Sequence, residues 1–82
     1  MSNLSKLQPL VPPSARAKEI AAREKARRRA MGITQRQLSD RSGVALGTLR
    51  RFEQTGQLAL ESLVRICRAL DCDEELETLF SK

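Results

Sequence analysis

The chain has 82 residues, 15 of them Lys or Arg against 10 Asp or Glu, and a net charge of +5. That length sets a single domain near the lower limit for a self-sufficient core, and two Phe with no Trp or Tyr make the core aliphatic and thin. With no His, two Cys and no long apolar run, the composition argues against a zinc site, a membrane span and an export signal.

Residues 1–13 hold Pro9, Pro12 and Pro13 among scattered Leu4, Leu7, Leu10 and Val11, the pattern of an extended, flexible tail. Ser14 is the expected N-cap of a first helix from Ala15 to Met31, stopped by Gly32. Its large apolar residues are only Ile20 and Met31, supplemented by Ala17, Ala21, Ala22, Ala26 and Ala30. Arg23, Lys25, Arg27, Arg28 and Arg29 crowd its outer face.

The next stretch, Ile33 to Glu53, is the most specific. Thr34 and Gln37 form a capping box, Leu38 anchors a short second helix, and Ser39 is small enough for another helix to cross closely. Gly43 ends that helix, because glycine enters the left-handed region without steric cost. Val44, Leu49 and Phe52 then face inward from a third helix, leaving Leu46, Gly47, Arg50 and Arg51 outward. Two short helices around a Ser42-Gly43-Val44 turn read as a helix-turn-helix at about 34–53, the alternative being an ordinary helical hairpin. Gly47 lowers helix propensity by about 1 kcal/mol, which points to close approach of DNA or of helix two.

After a loop at 54–58 the pattern gives a fourth helix from about Leu60 to Leu70. Cys67 joins its apolar face with Leu63, Ile66 and Leu70, while Cys72 falls in a turn. A last helical turn or two, capped by Asp73, carries Leu76, Leu79 and Phe80 at i, i+3, i+4 spacing, flanked by Glu74, Glu75 and Glu77. The whole is all-α with five helices, residues 14–82 forming the domain and about 60–80 its C-terminal helices. Charge is uneven along it. Residues 14–58 hold eleven basic against four acidic residues, whereas 59–82 hold three against six, so the basic excess overlaps the helix-turn-helix.

Gly32-Ile33-Thr34-Gln35, Leu38, Ser42-Gly43-Val44, Thr48-Leu49, Phe52-Glu53 and Leu63-Val64-Arg65-Ile66 together resemble the Cro/cI-like (lambda-repressor-like, XRE) helix-turn-helix proteins, over about residues 20–71. SGVALGTLRRFEQTGQLALESL and the acidic DEELETLF are similar to the HipB-type regulators, usually encoded beside a HipA-type kinase toxin. The resemblance implies a DNA-facing set of Gln35, Arg36, Ala45, Leu46, Gly47, Thr48, Arg50 and Arg51, with Gln35 clamping a phosphate. It also implies an ion pair between Arg28 and Glu53 that ties the first helix to the end of the recognition helix. Three positions depart from the family pattern: Ala45 and Ala59 replace polar caps, and Glu24 stands where an apolar residue is usual.

The expected function is a sequence-specific repressor, acting as a homodimer on a near-palindromic operator and autoregulating a HipA-type toxin–antitoxin operon. The alternatives are an antitoxin that neutralises a kinase toxin by direct contact, and an orphan or phage-type repressor. One recognition helix covers too few base pairs for a specific genomic site, so a dimer is expected. Its expected seam is Leu76, Leu79 and Phe80, unless those three close the monomer's own core. An enzyme has no support, for there is no His, no Cys paired with a base and no Gly-rich phosphate loop. No cofactor, metal, membrane or small-molecule ligand is expected, and the cytoplasm, at the nucleoid, is the expected location.

Overall fold

The computed structural model describes residues 10–81, and over them the chain is all-helical. Five helices follow in order: α1 Pro13–Ala30, α2 Gln35–Ser42, α3 Leu46–Thr55, α4 Leu60–Ala69 and α5 Glu74–Glu77. The expected tail falls mostly on residues 1–9, outside the described residues.

α1 starts two residues earlier than the Ser14 cap predicts. Pro12 takes the cap position and Pro13 is the first helical residue, where its missing N–H is no loss and its fixed φ suits the helix. Arg16 N–H donates to the Pro12 carbonyl at 2.9 Å, and Ser14 caps nothing. At the other end Gly32 turns left-handed at φ 72°, with Arg27, Arg28 and Arg29 in the last turn where the helix dipole favours cations. The buried face of α1 also differs from expectation. Ile20 and Met31 are 40% and 43% exposed, and the residues turned inward are Ala21, Glu24 and Arg28.

α2 carries the capping box: Thr34 N–H donates to Gln37 Oε1 at 2.9 Å, and Gln37 N–H donates to Thr34 Oγ1 at 3.0 Å. Gly43 ends the helix at φ 77°. Two serines then fix the turn. Ser39 Oγ donates to the Val44 carbonyl at 2.6 Å, and Val44 N–H donates to Ser42 Oγ at 3.1 Å. Ser39 therefore acts through its hydroxyl and not only through its small size.

α3 and α4 begin at Ala45 and Ala59, and neither start has a side-chain cap. Gly56 closes α3 at φ 80°, and a Cβ there would lie 2.6 Å from the Ala17 backbone, so α1 crosses where only glycine fits. α4 ends in a Schellman turn: Asp71 is left-handed at φ 63°, its N–H reaches the Arg68 carbonyl, and Cys72 N–H reaches that of Cys67. This tucks Cys72 inside, so both cysteines join or border the core, where the sequence placed only Cys67.

The last segment corrects the reading most. α5 is a single turn, and Leu79 and Phe80 lie beyond its end, Phe80 at φ 66°. Asp73 caps nothing; its Oδ1 accepts from Arg68 Nε at 3.3 Å. Leu76, Leu79 and Phe80 therefore do not share one helical face.

Ala21, Ile33, Leu38, Val44, Leu49, Phe52, Ile66, Leu70 and Cys72 form the buried core, with Leu58, Leu63, Cys67 and Ala69 packed against it. α1 lies mainly on α3, and α2 on α3 and α4. Leu38, Leu49, Ile66 and Leu70 are fully buried, each worth about 1.5–3 kcal/mol relative to exposure. With Leu49 and Phe52 pinned inside, the opposite side of α3 must face out.

Candidate nucleic-acid interface

The outward side of α3 begins at exposed Ala45, continues through half-buried Leu46, and then shows Gly47, Thr48, Arg50 and Arg51 fully to solvent. Arg51 Nη2 donates to Gln57 Oε1 at 2.6 Å, and Gln57 N–H in turn donates to Thr55 Oγ1, so the guanidinium is steadied by the loop after α3. A Cβ on Gly47 would meet nothing of the protein within 4 Å. The close approach of α2 offered as one reason for this glycine is therefore wrong, since the space above it is open.

Beside α3 lies the start of α2, with half-buried Gln35 and exposed Arg36 in its first turn. Neither α2 nor α3 has an acidic residue in its first turn, so the positive ends of both dipoles stay unquenched. The uncapped starts of α3 and α4 border one open cleft of about 370 Å³, lined by Ala45, Thr48, Ala59, Glu61, Ser62 and Arg65 among others, with the Glu61 carboxylate in the first turn of α4. Free backbone N–H groups and dipole ends such as those of α2 and α3 accept anions.

Behind this surface is a polar cluster. Arg28 Nε and Nη2 donate to Glu53 Oε2 and Oε1, both at 2.9 Å, and Arg28 Nη1 donates to the Ile33 carbonyl at 2.9 Å. Gln35 Nε2 adds a bond to Glu53 Oε1 at 2.9 Å, so the amide at the start of α2 is tied to the last full turn of α3. Burial alone would lift the Glu53 carboxyl, but the hydrogen bonds and charge of Arg28, with the bond from Gln35, hold it below the usual carboxylate value. The same Glu53 bonds raise Arg28. Glu24, also buried in the cluster, is pushed up to about 8, chiefly by burial and then by Glu53.

A helix-turn-helix family profile matches residues 25–76, from the middle of α1 to α5. The chain belongs to the helix-turn-helix family, of the Cro/cI-like type, and is a DNA-binding transcription regulator. No curated protein matches the sequence. In helix-turn-helix proteins the first helix of the motif is the supporting helix and the second, the recognition helix, lies in the major groove; α2 and α3 occupy those two places here.

Gln35 and Arg36 lie in the first turn of α2, Ala45 precedes α3, and Leu46, Gly47, Thr48, Arg50 and Arg51 lie on α3, while Leu79 and Phe80 follow α5 in the chain. Three contributors escaped the sequence reading. Gln57 steadies Arg51, and Arg27 Nε and Nη2 bind the Leu70 and Asp71 carbonyls at 2.7 and 3.0 Å, tying α1 to the end of α4. Glu24 was noted only as a departure, though its place one helical turn before Arg28 signals a shared face. Burial, with Cys72, Glu75 and Asp73 adding to it, pushes the Cys67 thiol up to about 12, which makes it a poor nucleophile at neutral pH. Among the described residues, no helix is long and apolar enough to cross a membrane.

Proposed function

We propose that the protein is a sequence-specific repressor that binds as a homodimer to a near-palindromic operator at its own promoter. The observation that carries this reading is the outward row on α3, mounted on buried Leu49 and Phe52 and clamped at its far end through Glu53. Arg51 reads guanine O6 and N7 with two parallel bonds, and Leu46 packs on a thymine methyl. Thr48 lies along the same groove, and Ala45 and Gly47 are small enough to let the duplex approach. Gln35, Arg36 and the free N–H groups of α2 hold one phosphate, and Arg50 touches another.

Leu79 and Phe80 supply the dimer seam. They are 56% and 93% exposed, so within one chain they close no core, and Leu76 sits half-buried beside them. Asp73, Glu74, Glu75 and Glu77 flank this end and repel phosphates, which favours a protein contact here over DNA. Pairing there sets two recognition helices about 34 Å apart, in successive major grooves. The likeness to HipB-type regulators adds a second role, neutralising a HipA-type kinase toxin by direct contact, which a kinase reading frame beside the gene would support.

Footprinting of the purified protein on the DNA upstream of its own reading frame tests the reading. Two protected half-sites with a centre-to-centre spacing of one helical turn are expected. Equal affinity for every duplex, with no protected site, overturns it.

A further inference from the structure

Glu24 is buried inside the clamp between α1 and the recognition helix, and nothing in the DNA-reading surface accounts for it. Its side chain is 6% exposed, and neither carboxyl oxygen has a hydrogen-bond partner as an acceptor. The nearest cation, Arg28 Nε, is 4.0 Å away, and that N–H is already committed to Glu53 at 2.9 Å. The other two guanidinium nitrogens are engaged with Glu53 Oε1 and the Ile33 carbonyl. As a carboxylate, Glu24 would thus be a buried charge without a donor, beside Glu53, a second carboxylate only 3% exposed. One guanidinium would then face two negative charges in a poorly solvated site, an arrangement two neighbouring carboxyls avoid by holding a proton.

We propose that Glu24 is a positioning residue that stays protonated in the folded protein and donates its proton to Glu53, so that loss of this proton loosens α1 from the recognition helix. The charged groups around it fit that role. From α1 itself Arg28 and Lys25 favour its ionised form, and from α3 Glu53 opposes it. α2 brings only the neutral amide of Gln35 to the cluster, and the segment after α4 meets α1 through Arg27, which binds the Leu70 and Asp71 carbonyls. Burial and Glu53 outweigh the two cations, and the Glu24 carboxyl titrates at about 8. Glu53 then keeps Arg28 and Gln35 for itself, and through Gln35 the start of α2 stays in register with α3. The link from this cluster to DNA rests on the DNA-reading proposal; the shared proton does not.

The test uses the full chain. The carbon-13 shift of the Glu24 carboxyl, followed by NMR between about pH 5 and 9.5, is expected to titrate near 8 with the Glu53 signal responding at the same pH. A Glu24 midpoint in the ordinary carboxylate range overturns the proposal without need of any variant. Glu24→Gln keeps a donor that cannot ionise, so its melting temperature and operator affinity should stay level where those of the wild type fall as pH rises. Wild-type and Gln variants that fall in parallel also overturn it. Should no duplex bind specifically at any pH, the DNA-reading proposal fails while the NMR titration and melting profiles still decide the shared proton.

Discussion

Arg28 on α1 grips Glu53 on α3 with two parallel hydrogen bonds of 2.9 Å, although the residues stand 25 apart in the chain. The side chains are only 7% and 3% exposed, so the pair is shielded from water. Removing one partner strands the other as a buried charge, at a cost of about 3–5 kcal/mol. Arg28→Ala and Glu53→Ala should each lower stability on urea unfolding by that order. The double variant should recover part of the loss, and strict additivity would show that the two do not interact.

Glu53 also makes stability depend on acid. Its carboxyl is lower in the folded chain than in the unfolded one, so it contributes stability above its unfolded value and loses it as pH falls through the folded value. Melting temperature should therefore drop as pH falls below the ordinary carboxyl value of 4.5. Glu53→Gln should weaken this dependence, and an unchanged acid limb would contradict the account.

Base reading and anchoring are separable. Arg51→Ala should weaken operator binding by about 1–3 kcal/mol and relax preference at one position in each half-site. Gln35→Ala should weaken all sequences more evenly, because phosphate contacts carry little sequence information. Selection from a randomised operator library with each variant measures both. An unaltered preference profile for Arg51→Ala would move the reading to another side chain.

Two glycines should respond oppositely to alanine. Gly47 has open space around it in a helix, so Gly47→Ala should raise stability by roughly 0.5–1 kcal/mol. If the duplex occupies that space, the same variant should bind operator less tightly. Gly56→Ala must fit a Cβ against the Ala17 backbone at positive φ and should lower the melting temperature clearly. Thermal melts of both, with titration of operator DNA, check the contrast.

Phe80 and Leu79 test the assembly. Leu79→Asp and Phe80→Ser should leave helix content intact by circular dichroism, because neither side chain is inside the monomer. Sedimentation should show a monomer that occupies a half-site weakly. A dimer that persists in both variants places the seam elsewhere.

How far the residues announced this structure depends on the range of each signal. The Thr34–Gln37 box, the Gly43 stop and the inward trio Val44, Leu49 and Phe52 act within a few residues, and all stand where the sequence put them. The α1 face did not follow from periodicity, because its buried residues include Glu24 and Arg28, and Arg28 finds its partner Glu53 only once α3 is docked. α5 was overextended for a related reason. Leu76, Leu79 and Phe80 keep a helical spacing, but a one-turn helix with no side-chain cap has little to hold it, and the chain leaves it after Glu77. Ser14 has the side-chain chemistry of a cap, but the fixed φ of Pro13 suits the first helical position and starts the helix before it.

The recognition helix is built like a cantilever. Its far end is bolted down by Glu53 and by Gly56 against α1, whereas its first turn starts at an alanine that offers the leading amides no oxygen. Amides left open at a helix start are satisfied by water or by a bound anion. In the DNA-binding mode proposed above, the tip that meets the duplex is thus the least self-sufficient part of the helix, and docking on a phosphate backbone would finish a helix start that the chain leaves open.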